Sequence, residues 1–344
     1  MPCRRSAAVS QAALAEARSI IAATMADLGE FELIDRFFTR PTRRATLGVG
    51  DDCALLQPTA GTTLAVSTDM LVEGRHFLST VAPERLGHKA LAVSLSDLAA
   101  CGARPLAFTL ALALPRADEA FLAAFARGLL ALADREACEL IGGDTTRGPL
   151  TVCITVFGEV PAAGALLRSG ARPGDDLYVS GTLGDARLAL EAFRGNVSLG
   201  EAAFRQARHA MELPSARNGL GIRLRAVATS AIDVSDGFVG DLGHILRRSG
   251  VGAVVDVDTL PKSAVLAAQP LPIQRQCLLA GGDDYELVFT ALASRRDAVA
   301  AAAASAGVAV TRIGRIEAGN ALRLVDRDGA AVESGFASFD HFRS

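Results

Sequence analysis

Six short acidic clusters, nearly all set against glycine, serine or threonine at the end of an apolar run, constrain this chain more than any other feature. They are Gly50-Asp51-Asp52, Ser67-Thr68-Asp69, Ser96-Asp97, Gly142-Gly143-Asp144, Asp233-Val234-Ser235-Asp236-Gly237 and Gly281-Gly282-Asp283-Asp284-Tyr285-Glu286. Carboxylates placed where strands hand over to loops are expected at one rim of a sheet, where hard oxygen ligands gather around Mg²⁺. A metal held in this way can bridge protein acid to a phosphate substrate.

At 344 residues the chain exceeds what one core ordinarily serves, so two domains are expected. Half the residues are hydrophobic, which supports filled cores, and with no tryptophan these must be built from Ala, Leu, Val and some Phe. The formal net charge of −3 argues against a general nucleic-acid binder, which would carry a basic face. Lys89 and Lys262 are the only lysines, so nearly all positive charge is arginine. The six cysteines form no Cys-x-x-Cys pair and mostly fall in apolar stretches, which reads as buried free thiols and cytoplasmic residence. No apolar run reaches the roughly 18 residues of a membrane helix without interruption, so no membrane association is expected. The stretch 1–25 is interrupted by Glu16 and Arg18, unlike a signal peptide, and Met25 resembles a natural start. It is read as an extension without structural duty.

Periodicity predicts a short helix over 26–38 with Phe31, Ile34 and Phe38 on one side. A strand over Thr62–Thr68 should end in Asp69, and a helix over Pro83–Ala100 carries Lys89 and Asp97 two turns apart. An apolar strand over Leu106–Leu114 precedes a helix capped by Asp118. Strands over Glu139–Ile141 and Leu150–Phe157 flank a Gly-Gly-Asp turn. Turn-rich Pro161-Ala-Ala-Gly164 and Ala171-Arg-Pro-Gly174 place the domain boundary near residue 160, giving domains 26–160 and 161–344. The second half should carry strands at 176–180, 231–234, 252–257 and 286–290, with helices at 185–194, 241–248 and 295–306. Their uneven alternation favours α+β halves over one doubly wound sheet.

A single Asp after Gly often does no more than close a turn or cap a helix. Seven or more converging carboxylates without matching lysines would repel one another, and a fold tolerates that only if cations sit between them. Ser67-Thr68-Asp69 offers a carboxylate with two hydroxyls, a suitable set for a hard cation. Asp233 and Asp236 point the same way if the chain turns into a helix after Gly237. Gly142-Gly143 can let backbone approach a phosphate while Asp144 holds the metal. Arg168, before the Pro173-Gly174 turn, is the best anion-binding arginine, although a solvated surface arginine reads the same way. His76 follows Asp69 closely enough to contact substrate, and Glu286 can take a hydrogen bond or cation from it. No P-loop, protein-kinase glycine loop or Gly-x-Ser-x-Gly elbow is present.

These segments resemble the thiamine-monophosphate kinase family. The resemblance is carried by Gly29-Glu30-Phe31-Glu32-Leu33-Ile34, Gly48-Val49-Gly50-Asp51-Asp52, the run Ser67 to Phe77, Lys89 to Asp97, and Gly142-Gly143-Asp144-Thr145. It continues with Arg168 to Asp175, Ile232 to Gly237, and Gly281 to Leu287, in family order. It implies the two-domain fold shared with aminoimidazole ribonucleotide synthetase, an N-terminal α/β domain whose sheet pairs across a homodimer followed by a C-terminal α+β domain. It also implies ATP-dependent phosphorylation of thiamine monophosphate to thiamine diphosphate by direct transfer, with several Mg²⁺ ions. By motif position, Asp52, Ser67, Thr68, Asp69, Asp97, Asp144, Asp233 and Asp236 would hold metal. Gly143, Asp144, Arg168 and Ser235 would contact ATP, and His76, Glu286 and Phe339 would contact thiamine monophosphate. Relatives often carry tyrosine where this chain has Phe339. The acceptor is itself an ionised phosphate, so no general base is assigned.

Selenophosphate synthetase, the hydrogenase-maturation carbamoyl dehydratase and aminoimidazole ribonucleotide synthetase share the implied fold and also use ATP. The first two depend on a reactive cysteine (or selenocysteine) beside a glycine-rich N-terminal segment or at the C-terminus. Cys3 lacks the first context and the chain ends His341-Phe342-Arg343-Ser344. A nucleotide or Mg²⁺ sensor on the same scaffold is the non-enzymatic alternative.

Overall fold

The computed structural model describes residues 29–332, so residues 1–28 and Phe339 lie outside the described region. The first half runs α1 (Glu30–Phe37), β1 (Ala45–Leu47), β2 (Leu55–Leu56), β3 (Thr62–Val72), α2 (Pro83–Ala100), β4 (Arg104–Leu114), α3 (Glu119–Arg135), β5 (Glu139–Arg147) and β6 (Thr151–Pro161). The second runs β7 (Asp175–Ser180), α4 (Asp185–Phe193), α5 (Glu201–Glu212), α6 (Asn218–Leu224), β8 (Ala228–Asp233), α7 (Phe238–Ser249) and β9 (Gly252–Asp256). It closes with α8 (Ala264–Ala267), α9 (Leu271–Ala280), β10 (Leu287–Leu292), α10 (Arg296–Ala306), β11 (Val310–Glu317) and β12 (Leu322–Val325).

The first-half sheet has the order β3-β6-β4-β5, with β4 and β5 parallel and the other pairs antiparallel. The second-half sheet has the order β12-β9-β11-β7-β10-β8 and is antiparallel except between β12 and β9. Helices pack on both, and the mixed pairing agrees with halves that are not one doubly wound sheet.

Two expected turns are strand instead. β3 continues past Asp69 to Val72, because β6 pairs with it at every position from Thr62↔Pro161 to Val72↔Thr151 and satisfies its backbone. Gly142-Gly143-Asp144 is likewise no turn. β5 passes through it with a register shift against β4, Phe108 facing Leu140 and Thr109 facing Gly142. Gly143 is required there because a Cβ would meet the Leu110 carbonyl of β4 at 1.8 Å. In α1 the buried side chain is Leu33, whereas Phe31 is exposed, contrary to the expected face.

Helix α2 is the shaft of the molecule. Pro83 sits in its first turn, where a missing N–H costs nothing. One side of α2 packs on α3, where Gly87 and Gly128 let two backbones touch: a Cβ on Gly128 would lie 1.8 Å from the Glu84 carbonyl. Leu86, Leu91, Leu95, Phe108, Phe125 and Leu129 fill the core beneath. The opposite side meets α6 and β8 of the second half. There Ala99 joins Leu220, Leu224 and the stacked rings of Tyr178 and Phe289, whose centroids are 5.2 Å apart. A separate core of Leu177, Val179, Phe238, Leu242, Val255 and Leu279 fills the second half. Among the described residues no helix is long and apolar enough to cross a membrane.

Candidate active-site cleft between the two halves

A cleft of about 810 Å³ opens where β3, α2 and the loop between them face α4, α5 and two loops of the second half. Strand alternation sorts the Ser67-Thr68-Asp69 segment. Ser67 and Asp69 turn inward toward α2, and Thr68 turns outward with exposed Leu64, Val66 and Met70. The Ser67 hydroxyl donates to the Asp97 carboxylate of α2. On the next residue back, Ser96 Oγ donates to Asp233 Oδ2 at 2.7 Å, at the end of β8. Adjacent residues of one helix thus draw acids from both halves together.

The two second-half loops lie side by side. Asp283 N–H donates to the Ser235 carbonyl at 2.8 Å, Tyr285 N–H to Val234 at 2.8 Å, and Val234 N–H to Glu286 at 2.8 Å. Gly282 permits this approach, since a Cβ would stand 2.2 Å from the Ser235 carbonyl. Asp283 and Tyr285 adopt φ of +71° and +53°, a left-handed conformation that costs energy in non-glycine residues and persists only where neighbours enforce it. Those neighbours are identifiable. Asp284 accepts Gly184 N–H at 2.9 and 3.1 Å, and Asp283 pairs with buried Lys89 of α2, whose Nζ also donates to the Met211 carbonyl at 2.9 Å. Asp241 Oδ2 accepts the N–H groups of Ser235, Asp236 and Gly237 at 3.1, 3.1 and 3.0 Å, shaping the turn that presents Asp236.

Asp69, Asp97, Asp233 and Asp236 make one part of the cleft acid-rich, whereas Lys89 is paired with Asp283, and Arg187 and Arg194 with Glu191. Burial, then the neighbouring Asp97 charge, raises the Asp69 carboxyl to about 6. The same two causes in the same order raise Asp233 to about 8. Burial raises Asp97, against which the Ser67 hydroxyl and the Arg168 charge act. Burial and Asp236 raise Asp241 to about 7. Among the described residues no three His, Cys, Asp or Glu side chains stand together closely enough to enclose a metal ion. Nevertheless, Asp69 Oδ2 is buried with no hydrogen-bond partner, and the groups that act on this carboxyl are the Asp97 and Asp236 carboxylates and the Ser94 hydroxyl. That donor chemistry fits a hard divalent cation.

Asp69, His76, Asp97, Asp233, Ser235 and Asp236 line the cleft; Thr68 borders it too, but its hydroxyl lies on the outer sheet face, 2.9 Å from Thr155 Oγ1, and not with these acids. Arg168 lies near enough to Asp97 for its charge to be felt there. Other expected residues are elsewhere. Asp144 faces Ala111, in register with Cys153 and Met70, on the outer sheet face opposite Asp69. Gly143 lies on the edge strand beside it, and Asp52 is exposed in the loop before β2, where its N–H donates to Asp51 Oδ1 at 2.8 Å. Glu286 is buried behind the cleft. It accepts Ser180 Oγ at 2.5 Å and Arg217 Nε at 2.7 Å instead of facing open space. Sequence reasoning missed Lys89, Arg217 and Asp241 as the groups that fix these acids. Lys89 carried a signal, as a rare lysine inside an apolar helix; Arg217 and Asp241 carried none.

Comparison with known proteins agrees with this architecture. The AIR synthase related protein N-terminal domain matches residues 50–160, and the corresponding C-terminal domain matches residues 172–327. The thiamine-monophosphate kinase of Salmonella typhimurium strain LT2 is 46% identical over 323 residues, covering 91% of this chain and 98% of that protein. Its Escherichia coli K12 counterpart is 45% identical over 321 residues, with the same coverage. Among solved structures, thiamine-monophosphate kinase from Stenotrophomonas maltophilia K279a superposes with a TM-score of 0.80 at 47% identity, covering 89% of this chain and 98% of that one. AaThiL complexed with AMPPCP and TMP gives a TM-score of 0.72 at 30% identity, covering 92% and 97%. Escherichia coli HypE, at 20% identity and a TM-score of 0.72, shares the fold alone.

Proposed function

The chain belongs to the thiamine-monophosphate kinase family, and from that premise we infer that it transfers the γ-phosphoryl group of ATP to the phosphate of thiamine monophosphate, giving thiamine diphosphate and ADP. The observation that carries this reading is the meeting of Asp69, Asp97, Asp233 and Asp236, drawn from both halves, at one cleft. Attacking and transferred groups are both anionic, so the reaction is limited by charge and alignment and not by deprotonation of the nucleophile. A phosphate oxygen is already ionised at neutral pH, and no side chain is needed as a base.

In this reading Asp69, Asp97, Asp233 and Asp236, with the Ser67 hydroxyl, would hold Mg²⁺, whereas the Thr68 hydroxyl lies on the outer sheet face, 2.9 Å from Thr155 Oγ1, and is left out of that set. Mg²⁺ when bound supplies the positive charge that lets two polyanions approach. Arg168 and Ser235 would contact ATP, whereas the expected metal ligands Asp52 and Asp144 and the expected ATP contact Gly143 lie away from this cleft and are given no part in it. His76 contacts thiamine monophosphate from the loop after β3, as would Phe339. Glu286 acts through the loop it anchors, because Ser180 and Arg217 already engage it. The outward face of β3, with Leu64, Val66 and Met70 from 40% to 57% exposed, is the surface proposed to meet a second copy in a homodimer. The free thiols Cys53, Cys101, Cys138, Cys153 and Cys277 suit the reducing cytoplasm.

Coupled measurement of ADP release tests the assignment. Release should require Mg²⁺ and thiamine monophosphate together and should fail with thiamine or AMP as acceptor. ADP release that ignores the acceptor would refute it.

A further inference from the structure

Arg208 of α5 holds three partners with one guanidinium. Its Nε donates to Glu212 Oε1 at 2.7 Å, its Nη2 donates to the Thr80 carbonyl at 2.7 Å, and its Cζ lies 5.5 Å from the centroid of the Phe193 ring at the end of α4. Glu212 is buried, and its second oxygen accepts Arg85 Nη1 of α2 at 2.8 Å. The Thr80 contact crosses between halves, because Thr80 belongs to the loop joining β3 to α2. That loop is shaped by Gly74 N–H donating to Phe77 at 2.8 Å, His76 N–H to Val72 at 3.0 Å and Val81 N–H to Leu78 at 3.0 Å. His76, Phe77, Leu78 and Val81 of this loop form one wall of the cleft, and Leu190, Phe193 and Glu212 form the facing wall.

The two facing walls present Phe77, Leu78 and Val81 on one side and Leu190 and Phe193 on the other, with Arg75, Arg187 and Arg194 also lining the cleft, whereas Asp69, Asp97, Asp233 and Asp236 form its acidic part. The apolar side chains therefore suit the ring-bearing portion of an acceptor, and the acids, holding Mg²⁺ as proposed above, would suit its phosphate. We propose that Arg208 is a positioning residue that sets the separation of these two walls and thereby the affinity for the organic portion of the acceptor. This rests on the reading that the cleft takes thiamine monophosphate. The planar fork matters: lysine retains the charge but cannot satisfy Glu212 and the Thr80 carbonyl while lying flat on Phe193.

Steady-state kinetics on the full chain tests this, with wild type, R208A, R208K, H76A and the R208A/H76A pair. R208A should raise KM for thiamine monophosphate about tenfold while KM for ATP and kcat move less than about threefold, since displacement of a binding wall acts on the ligand it touches. R208K should recover part of that loss. In the double variant KM should rise no further than in the worse single variant, as both residues act through one loop. The proposal is overturned if R208A has wild-type KM, or if KM for both substrates and kcat change in equal proportion alongside a lowered melting temperature. Should R208A not fold, R208K decides alone: an unchanged KM for thiamine monophosphate overturns the proposal and a selective rise supports it. Absence of acceptor-dependent turnover in the wild type would instead overturn the functional reading, whatever Arg208 does.

Discussion

At the scale of single residues the cleft carries an unresolved repulsion, and its pH dependence has a definite sign. Asp69 and Asp233 are held at about 6 and about 8 by burial and by Asp97, whereas in the unfolded chain both would titrate near the ordinary carboxylate value of about 3.9. Folded pKa values above unfolded ones mean that stability is greatest below about pH 4 for these groups and is lost as pH rises toward 8. Without metal, the melting temperature should therefore fall between pH 5.5 and pH 8 as far as these groups dominate. Mg²⁺ should raise it more at pH 8 than at pH 5.5, and equal shifts at both would count against metal binding by these acids. Asp236→Asn should lower kcat about 10²-fold or more with the melting temperature nearly kept, because it removes charge stabilisation and no packing. The acids themselves were legible in the sequence as residue types against glycine and serine. Their partners were not: Lys89 meets Asp283 across 194 positions and Arg217 meets Glu286 across 69, separations over which no local pattern operates.

Among the elements, α2 and α3 show where geometry overrides propensity. Replacing a helical glycine by alanine ordinarily stabilises by about 1 kcal/mol. Gly128→Ala should instead cost about 1–3 kcal/mol, because the new methyl would collide with the Glu84 backbone and force the helices apart. A lowered urea midpoint at unchanged slope would establish this, and a raised midpoint would contradict the packing described. Elements with strong signals were read well, including α2 from its Pro83 start and α3 from the Asp118 side chain that accepts Phe121 N–H at 3.1 Å. Helices α5 and α9 escaped notice for physical reasons. α5 buries little beyond Ala207, Met211 and Glu212 and starts at Gly200 without a side-chain cap. α9 carries Pro272 in its first turn, which read alone suggests a break. Gly142-Gly143-Asp144 has the composition of a turn, and only its neighbour β4 makes it a bulged strand.

For the molecule as a whole, helix α2 sends a row of polar side chains into the second half: Arg85 to Glu212, His88 to the Pro214 carbonyl at 2.8 Å, Lys89 to Asp283 and Ser96 to Asp233. Turn composition suggested a division near residue 160, but nothing local announced that a first-half helix would reach so many side chains of the second half. Asp283→Asn should cost roughly 3 kcal/mol, since it leaves a buried ammonium with only a carbonyl for company. Denaturant unfolding measures that loss, and a neutral result would mean the pair is dispensable to the joint. For the homodimer proposed above, Val66→Asp on the outward face of β3 should shift the protein toward monomer in sedimentation equilibrium while the fold remains, and an unchanged mass would count against that pairing. The enclosed ammonium has a practical corollary. Lys89 is only 2% exposed, and the chain's one other lysine, Lys262, is partly accessible. An amine-selective acylating reagent should consequently tag Lys262 promptly and Lys89 only when the halves part, so that the slow phase of labelling clocks the opening of the joint.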